Sequence, residues 1–235
     1  MIRIPIRMTT FGQYIMATQQ ERNAIIMHIY SKIMHIASSN NYKINLLHNK
    51  EVIEWLFGNI EYLEKQLTEY LKTQGMRMDA LKILEDKWGQ NMLRTIRPDL
   101  KLDKQWTNRF GEYICQDLYT LQGHTVTKPE CKNHYQPDWM TQTEIIEAKT
   151  QTHFTSGTAG EKILGTPFKY AEVPRLYSKP LTIVCIGGAE AICRNSYGNL
   201  MGNKISSEKQ AILDFYKNSM NIKYIGATDI LLNLG

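Results

Sequence analysis

Residues 181–186 read Leu-Thr-Ile-Val-Cys-Ile, too short a run for an ordinary helix and too apolar to alternate between a wet and a dry face. Such a run is a strand buried on both sides, which requires helices covering both faces of its sheet. Its neighbours agree. A helical pattern over residues 104–121 carries Trp106, Phe110, Ile114 and Leu118 on one face, and short β-rich stretches follow at 125–127, 135–140 and 144–150. Next comes a helix at about 158–171, opened by Thr158 with Glu161 at capping-box spacing and halted before Pro174. A helix near 206–216 and a short run at 222–225 close the chain. Helix, hairpin strands, crossover helix and buried strand predict an α/β (mixed α+β) chain with a central mixed β-sheet flanked by helices.

The first hundred residues read differently. Residues 17–37 place Ile25, Ile26, Ile29, Ile33 and Ile36 in one stripe, ended by Ser38-Ser39-Asn40-Asn41. Asn49 is the expected N-cap of a second helix showing Val52, Leu56, Ile60, Leu63, Leu67 and Leu71. A third covers 78–96 with Leu81, Leu84, Trp88 and Leu93, ended by Pro98. The division expected is a helical region at 1–97, for dimerisation or DNA clamping, and a second region at 98–235.

At 235 residues with 43% hydrophobic content the chain can bury a core without staples, and no apolar run approaches a membrane span. Arg3 and Arg7 resemble the start of a signal peptide, but Thr9, Thr10 and Gln13 interrupt any apolar segment. Four cysteines without CxxC spacing point to the reducing cytoplasm. His124, Cys131 and His134 lack a fourth ligand at zinc spacing. A net charge of +5 is compatible with a nucleic-acid partner without requiring one, so function has to come from a site.

That site is the segment 137–149. Glu147 and Lys149 alternate with Ile146 and Ala148, so the two charged side chains share a face. Thr141-Gln142-Thr143 can close a hairpin that brings Asp138 beside Glu147. Two carboxylates that close repel unless a cation lies between them, and hard oxygen donors suit Mg²⁺. Glu-x-Lys alone is weak: it also occurs at Glu85-Asp86-Lys87, in a helical pattern where such charges form a solvated face, and at Glu130-Cys131-Lys132, which lacks an upstream Pro-Asp. Only Glu147-Ala148-Lys149 joins an apolar strand to an upstream Pro-Asp and a following helix with a small-residue entry.

Pro137-Asp138 followed by Glu147-Ala148-Lys149 resembles the motif of the PD-(D/E)xK nuclease superfamily, and the element order over about 104–187 resembles that fold's common core. The stretch Glu147-Ala-Lys-Thr-Gln151, then Gly157-Thr-Ala-Gly-Glu-Lys162 and Lys169-Tyr170, looks most like a type II restriction endonuclease. The resemblance implies a restriction-endonuclease-like core that cuts double-stranded DNA at a short sequence as a homodimer, leaving 5′-phosphate and 3′-hydroxyl ends. It implies Mg²⁺ held by Asp138, Glu147 and the carbonyl of Ala148, with Lys149 assisting the attacking water. Glu112, midway along the preceding helix, is the expected additional acid, and Gln151 is placed to orient water or touch a phosphate.

The DNA-facing edge is expected between Thr150 and Lys162. Thr152, His153 and Thr155 offer hydrogen bonds, and Ser156, Gly157 and Thr158 let backbone N–H groups approach a phosphate. Residues 149–179 hold five Lys/Arg, including Lys162, Lys169 and Arg175, against two Glu, and phosphate contacts supply most nonspecific affinity. Two alternatives stand beside the restriction reading: a repair or junction-resolving nuclease of the same superfamily, and a noncatalytic DNA-binding module.

Overall fold

The computed structural model describes residues 11–67, 77–99, 105–155, 159–195, 200–201 and 205–234. After α1 (Phe11–Met16), Thr18 opens α2 (Gln19–Ser39) with a reciprocal cap: its hydroxyl accepts from the Glu21 N–H, and the Glu21 carboxylate accepts from the Thr18 N–H at 2.8 Å. The expected stripe is buried at Ile25, Ile26, Ile29 and Ile33. Asn49 caps α3 (Lys50–Leu56) as its sequence position suggests. The helix does not run on to Leu71, however. It ends at Leu56, Gly58 takes φ +71°, and the chain resumes as α4 (Glu61–Glu64). A left-handed residue there turns Leu63 and Leu67 back into the core, and Leu71 lies outside the described residues. Helices α5 (Arg77–Ile96) and α6 (Trp106–Leu121) match the expected segments.

The sheet begins with β1 (Trp139–Met140) and β2 (Ile145–Gln151), antiparallel, with Trp139 opposite Ile146 and Met140 opposite Ile145. Of the two strands expected before this hairpin partner, residues 125–127 contribute a single bridge from Thr127 to Met140, and 135–140 only its last two residues. Pro129 and Pro137 have no N–H for a ladder, and Asn133 and His134 adopt φ of 47° and 66° in a tight turn. The expected helix at 158–171 is interrupted at Gly165, giving α7 (Ala159–Leu164) and α8 (Thr166–Lys169). Pro174 does not stop a helix but sits in the first turn of α9 (Val173–Tyr177), where its missing N–H is not needed.

Strand β3 (Leu181–Gly187) is buried at every position. It is followed directly by α10 (Gly188–Asn195), then α11 (Ser207–Ser219), β4 (Ile222–Gly226) and α12 (Ala227–Leu232). The sequence pattern had not indicated α10 or α12. The sheet order is β1-β2-β3-β4, with the first pair antiparallel and the other two parallel. The fold is therefore mixed α/β with a mixed four-stranded sheet between helices.

Each face of the sheet has its own core. Ile146, Val184 and Ile186 pack with Ile26, Ile33, Leu93 and a nest of rings, Trp55, Trp88, Trp106 and Phe110. Ile145, Ile183 and Cys185 pack with Ile163, Val173 and Tyr177 on the other face. The described part of 1–97 shares the first of these cores with the sheet and with α6, which follows residue 97. Among the described residues no helix is long and apolar enough to cross a membrane.

Candidate active site

Strand β2 carries the site because β1 is so short. Among the described residues no strand pairs with the outer edge of β2 past Ile146. Asp138, one residue before β1, reaches over this open edge, and its Oδ2 accepts the Ala148 N–H at 2.8 Å. In an extended strand the N–H and C=O of one residue lie on the same side, so the Ala148 carbonyl faces that edge too. Glu147, Lys149 and Gln151 project from one face of β2, and Ala148 and Thr150 from the face covered by α6. That helix approaches closely at Gly111, where a Cβ would lie 1.8 Å from Thr150 Oγ1.

The expected residues converge. Glu147 is 5% exposed, and its Oε1 accepts from Lys149 Nζ at 2.6 Å. Its Oε2 is buried with no hydrogen-bond partner. The Asp138 carboxyl is pushed up to about 7, first by burial and then by the negative charge of Glu147; the Ala148 N–H and Lys128 oppose the shift. Tyr170 lies beside both lysines, its ring centroid 5.7 Å from Lys149 Nζ and 5.0 Å from Lys169 Nζ. Burial, then the Glu147 charge, raises its hydroxyl above the usual phenol range. Glu112 faces the same hairpin but is already engaged: its carboxylate pairs with Arg109 at 2.9 Å and Lys128 at 3.1 Å, and its carbonyl accepts from Trp139 Nε1 at 2.7 Å. Among the described residues no group of three or more His, Cys, Asp or Glu side chains is arranged to hold a metal ion. What the edge of β2 offers a cation is narrower, two carboxylates with one backbone carbonyl between them.

Ala148 and Lys149 open onto a cleft of about 610 Å³. One wall comes from α7 and α8, with Lys162 and Lys169, and the other from α5 and the start of α6, with Lys82 and Asn108. With Lys149 the lining holds four lysines against one carboxylate, Asp86. Gln151, Thr152 and Thr155 also line it, and the Gln151 Oε1 is buried without a partner. Ser156, Gly157 and Thr158 lie outside the described residues.

Two expected DNA contacts are placed elsewhere. The His153 ring turns from the cleft into the helical core: it packs edge-on against Trp55 at 5.3 Å, and its Nε2 bonds the Trp55 carbonyl at 2.8 Å. Burial lowers its pKa, so the ring is neutral at pH 7 and offers no charge to a phosphate. Arg175, on α9, belongs to a separate surface depression with Glu172 and Lys179.

The structure also corrects the reading of Glu85-Asp86-Lys87 as a solvated face. Glu85 is fully buried and accepts from Trp55 Nε1 at 2.7 Å and from the N–H groups of His153 at 2.9 Å and Phe154 at 3.3 Å. It pins the chain leaving β2 to the helical region. Asp86 accepts from Trp106 Nε1 at 2.9 Å and pairs with Lys82 at 2.8 Å. One signal was present: Glu85 falls four residues after Leu81 and three before Trp88, on the apolar stripe itself. No protein-family model, curated protein or solved structure matches the chain.

Proposed function

We propose that this chain is a Mg²⁺-dependent endonuclease of the PD-(D/E)xK kind, acting on double-stranded DNA in the manner of a type II restriction enzyme. One observation carries the reading: Asp138, Glu147 and Lys149 converge at the open edge of β2, against a cleft lined by four lysines. Asp138 and Glu147, with the carbonyl of Ala148, are the residues that would hold Mg²⁺. The partnerless Glu147 Oε2, next to an Asp138 carboxyl raised by burial and then by the Glu147 charge, supports a place for a cation between them. When bound, the ion would supply positive charge to a phosphate oxygen and make water more acidic.

The side chains divide the remaining work. Lys149, at the mouth of the cleft, donates from Nζ to the attacking water or a non-bridging phosphate oxygen and offsets charge building there. The Gln151 Oε1 accepts a hydrogen bond from that water. Lys162 and Lys169 hold flanking phosphates. Attack in line with the departing 3′ oxygen gives 5′-phosphate and 3′-hydroxyl ends. With one site per chain, cutting both strands of a short palindrome calls for a two-fold homodimer. The free state of Cys115, Cys131, Cys185 and Cys193 accords with work in the cytoplasm.

Plasmid incubated with the protein and Mg²⁺ tests the reading. Discrete bands support sequence-specific cleavage, cuts only at branched substrates point to a junction-resolving enzyme, and intact plasmid with a gel shift to a binding module. Asp138→Asn and Lys149→Ala are each expected to lower the cleavage rate at least about a hundredfold. Wild-type rates in either variant overturn the site assignment.

A further inference from the structure

We infer that Lys128 is a resident counter-ion of the carboxylates at the β1–β2 hairpin, a positioning residue that sets how tightly Asp138 and Glu147 take a divalent cation. Glu112 serves to hold Lys128 in place and is not itself a ligand. That Asp138 and Glu147 take a cation at all rests on the nuclease reading; the placement of Lys128 does not.

The backbone puts Lys128 in position first. Thr127 and Met140 exchange both of their backbone hydrogen bonds, at 2.9 and 2.8 Å, in an antiparallel bridge. The next residue, 128, therefore lies opposite Trp139, the neighbour of Asp138. From there its Nζ sits 4.6 Å from the Trp139 ring centroid and 3.1 Å from Glu112 Oε2. The same Glu112 oxygen takes Arg109 at 2.9 Å, and the Glu112 carbonyl accepts from the Trp139 indole at 2.7 Å. Ammonium, ring and carboxylate hold one another in place.

The acids gather at one spot. Burial, then the charges of Asp138, Glu147 and Glu112, raise the Cys115 thiol beneath them. Beyond burial, the charges acting on the Asp138 carboxyl are those of Glu147, Glu112 and Lys128, and among these Lys128 alone favours the ionised form. Glu147 is answered by Lys149, and Glu112 by both Arg109 and Lys128. To ligate a cation, Glu112 would have to give up two partners that it already holds, whereas the Ala148 carbonyl and Asp138 have no ion pair to break. A fixed ammonium beside Asp138 also repels any divalent ion that enters. Lys128 is 43% exposed, so replacing it empties no buried space.

Mn²⁺ is the probe, titrated at pH 8 into DNA-free protein and followed by electron paramagnetic resonance. The proteins are wild type, Lys128→Met, Glu112→Gln and the double variant. A unit charge this near a divalent ion at a half-exposed site is worth about tenfold in affinity. Lys128→Met, which keeps the stem on Trp139, is expected to bind Mn²⁺ about tenfold more tightly. Glu112→Gln is expected to bind about tenfold more weakly. The double variant has the net charge of wild type and is expected to return to within about threefold of it. Wild-type affinity in Lys128→Met overturns the inference, as does a double variant as weak as Glu112→Gln, the result expected of a lost ligand. No Mn²⁺ binding by any of the four overturns both the counter-ion and the cation site. Binding to which Lys128→Met is indifferent sinks the counter-ion alone, and the expected pattern with plasmid left intact in Mg²⁺ sinks only the nuclease.

Discussion

Replacing Gly111 with alanine is expected to destabilise the protein, reversing the usual sign of that exchange. In an exposed helix interior, Gly→Ala stabilises by about 1 kcal/mol. Here the new methyl would lie 1.8 Å from Thr150 Oγ1 and 2.9 Å from Thr150 Cβ. Rotating Thr150 removes the first overlap but not the second, because the backbone fixes a Cβ. Helix α6 and strand β2 must therefore part by a few tenths of an ångström. Overpacking of this kind costs about 1–3 kcal/mol, which leaves a net loss of about 1 kcal/mol after the helix-propensity gain. The strain is shared with Thr150, whose Oγ1 is buried without a partner, so Thr150→Ala sacrifices no hydrogen bond and is expected to return part of the loss. A urea-denaturation double-mutant cycle should show coupling of at least about 0.5 kcal/mol. Cleavage should fall as well, since Lys149 and Gln151 flank the displaced residue and small misplacements weigh heavily on rate. A Gly111→Ala protein more stable than wild type, or strict additivity with Thr150→Ala, refutes the reasoning.

Glu85→Ala strands the Trp55 indole N–H and the amides of His153 and Phe154, and is expected to cost about 3–5 kcal/mol. Glu85→Gln keeps an acceptor there and should lose less than half as much by the same urea titration. Asp138 gives a pH signature. Its folded pKa, about 7, lies above the ordinary 3.8, so its contribution is most favourable below about pH 4 and is lost as pH rises through 7. Asp138→Asn should then gain on wild type by a few kcal/mol in moving from pH 5 to pH 8. Parallel pH–stability curves for the two proteins would sink this account.

The parts legible in the sequence were those set by local period. Alternation put Glu147 and Lys149 on one face, Pro137-Asp138 sat at hairpin distance, and the apolar run at 181–186 could only be an inner strand. Contacts between residues far apart in the chain were not legible. His153 reads as a polar residue in a polar run, yet its partner Trp55 is 98 positions away. The breaks at Gly58 and Gly165 serve tertiary packing, which no local stripe encodes. Glu85 was misread because its charge outweighed its place on an apolar stripe, and three donors from other elements make that burial tolerable.

The bond from Asp138 to the Ala148 amide has a use besides chemistry. Beyond Ile146, β2 is, among the described residues, a bare selvedge whose backbone could recruit a strand from another molecule, and this carboxylate is the bolt across it. Asparagine keeps the bolt and alanine draws it. An Asp138→Ala protein should therefore self-associate through β2 on storage, and Asp138→Asn is the sounder choice of inactive reference.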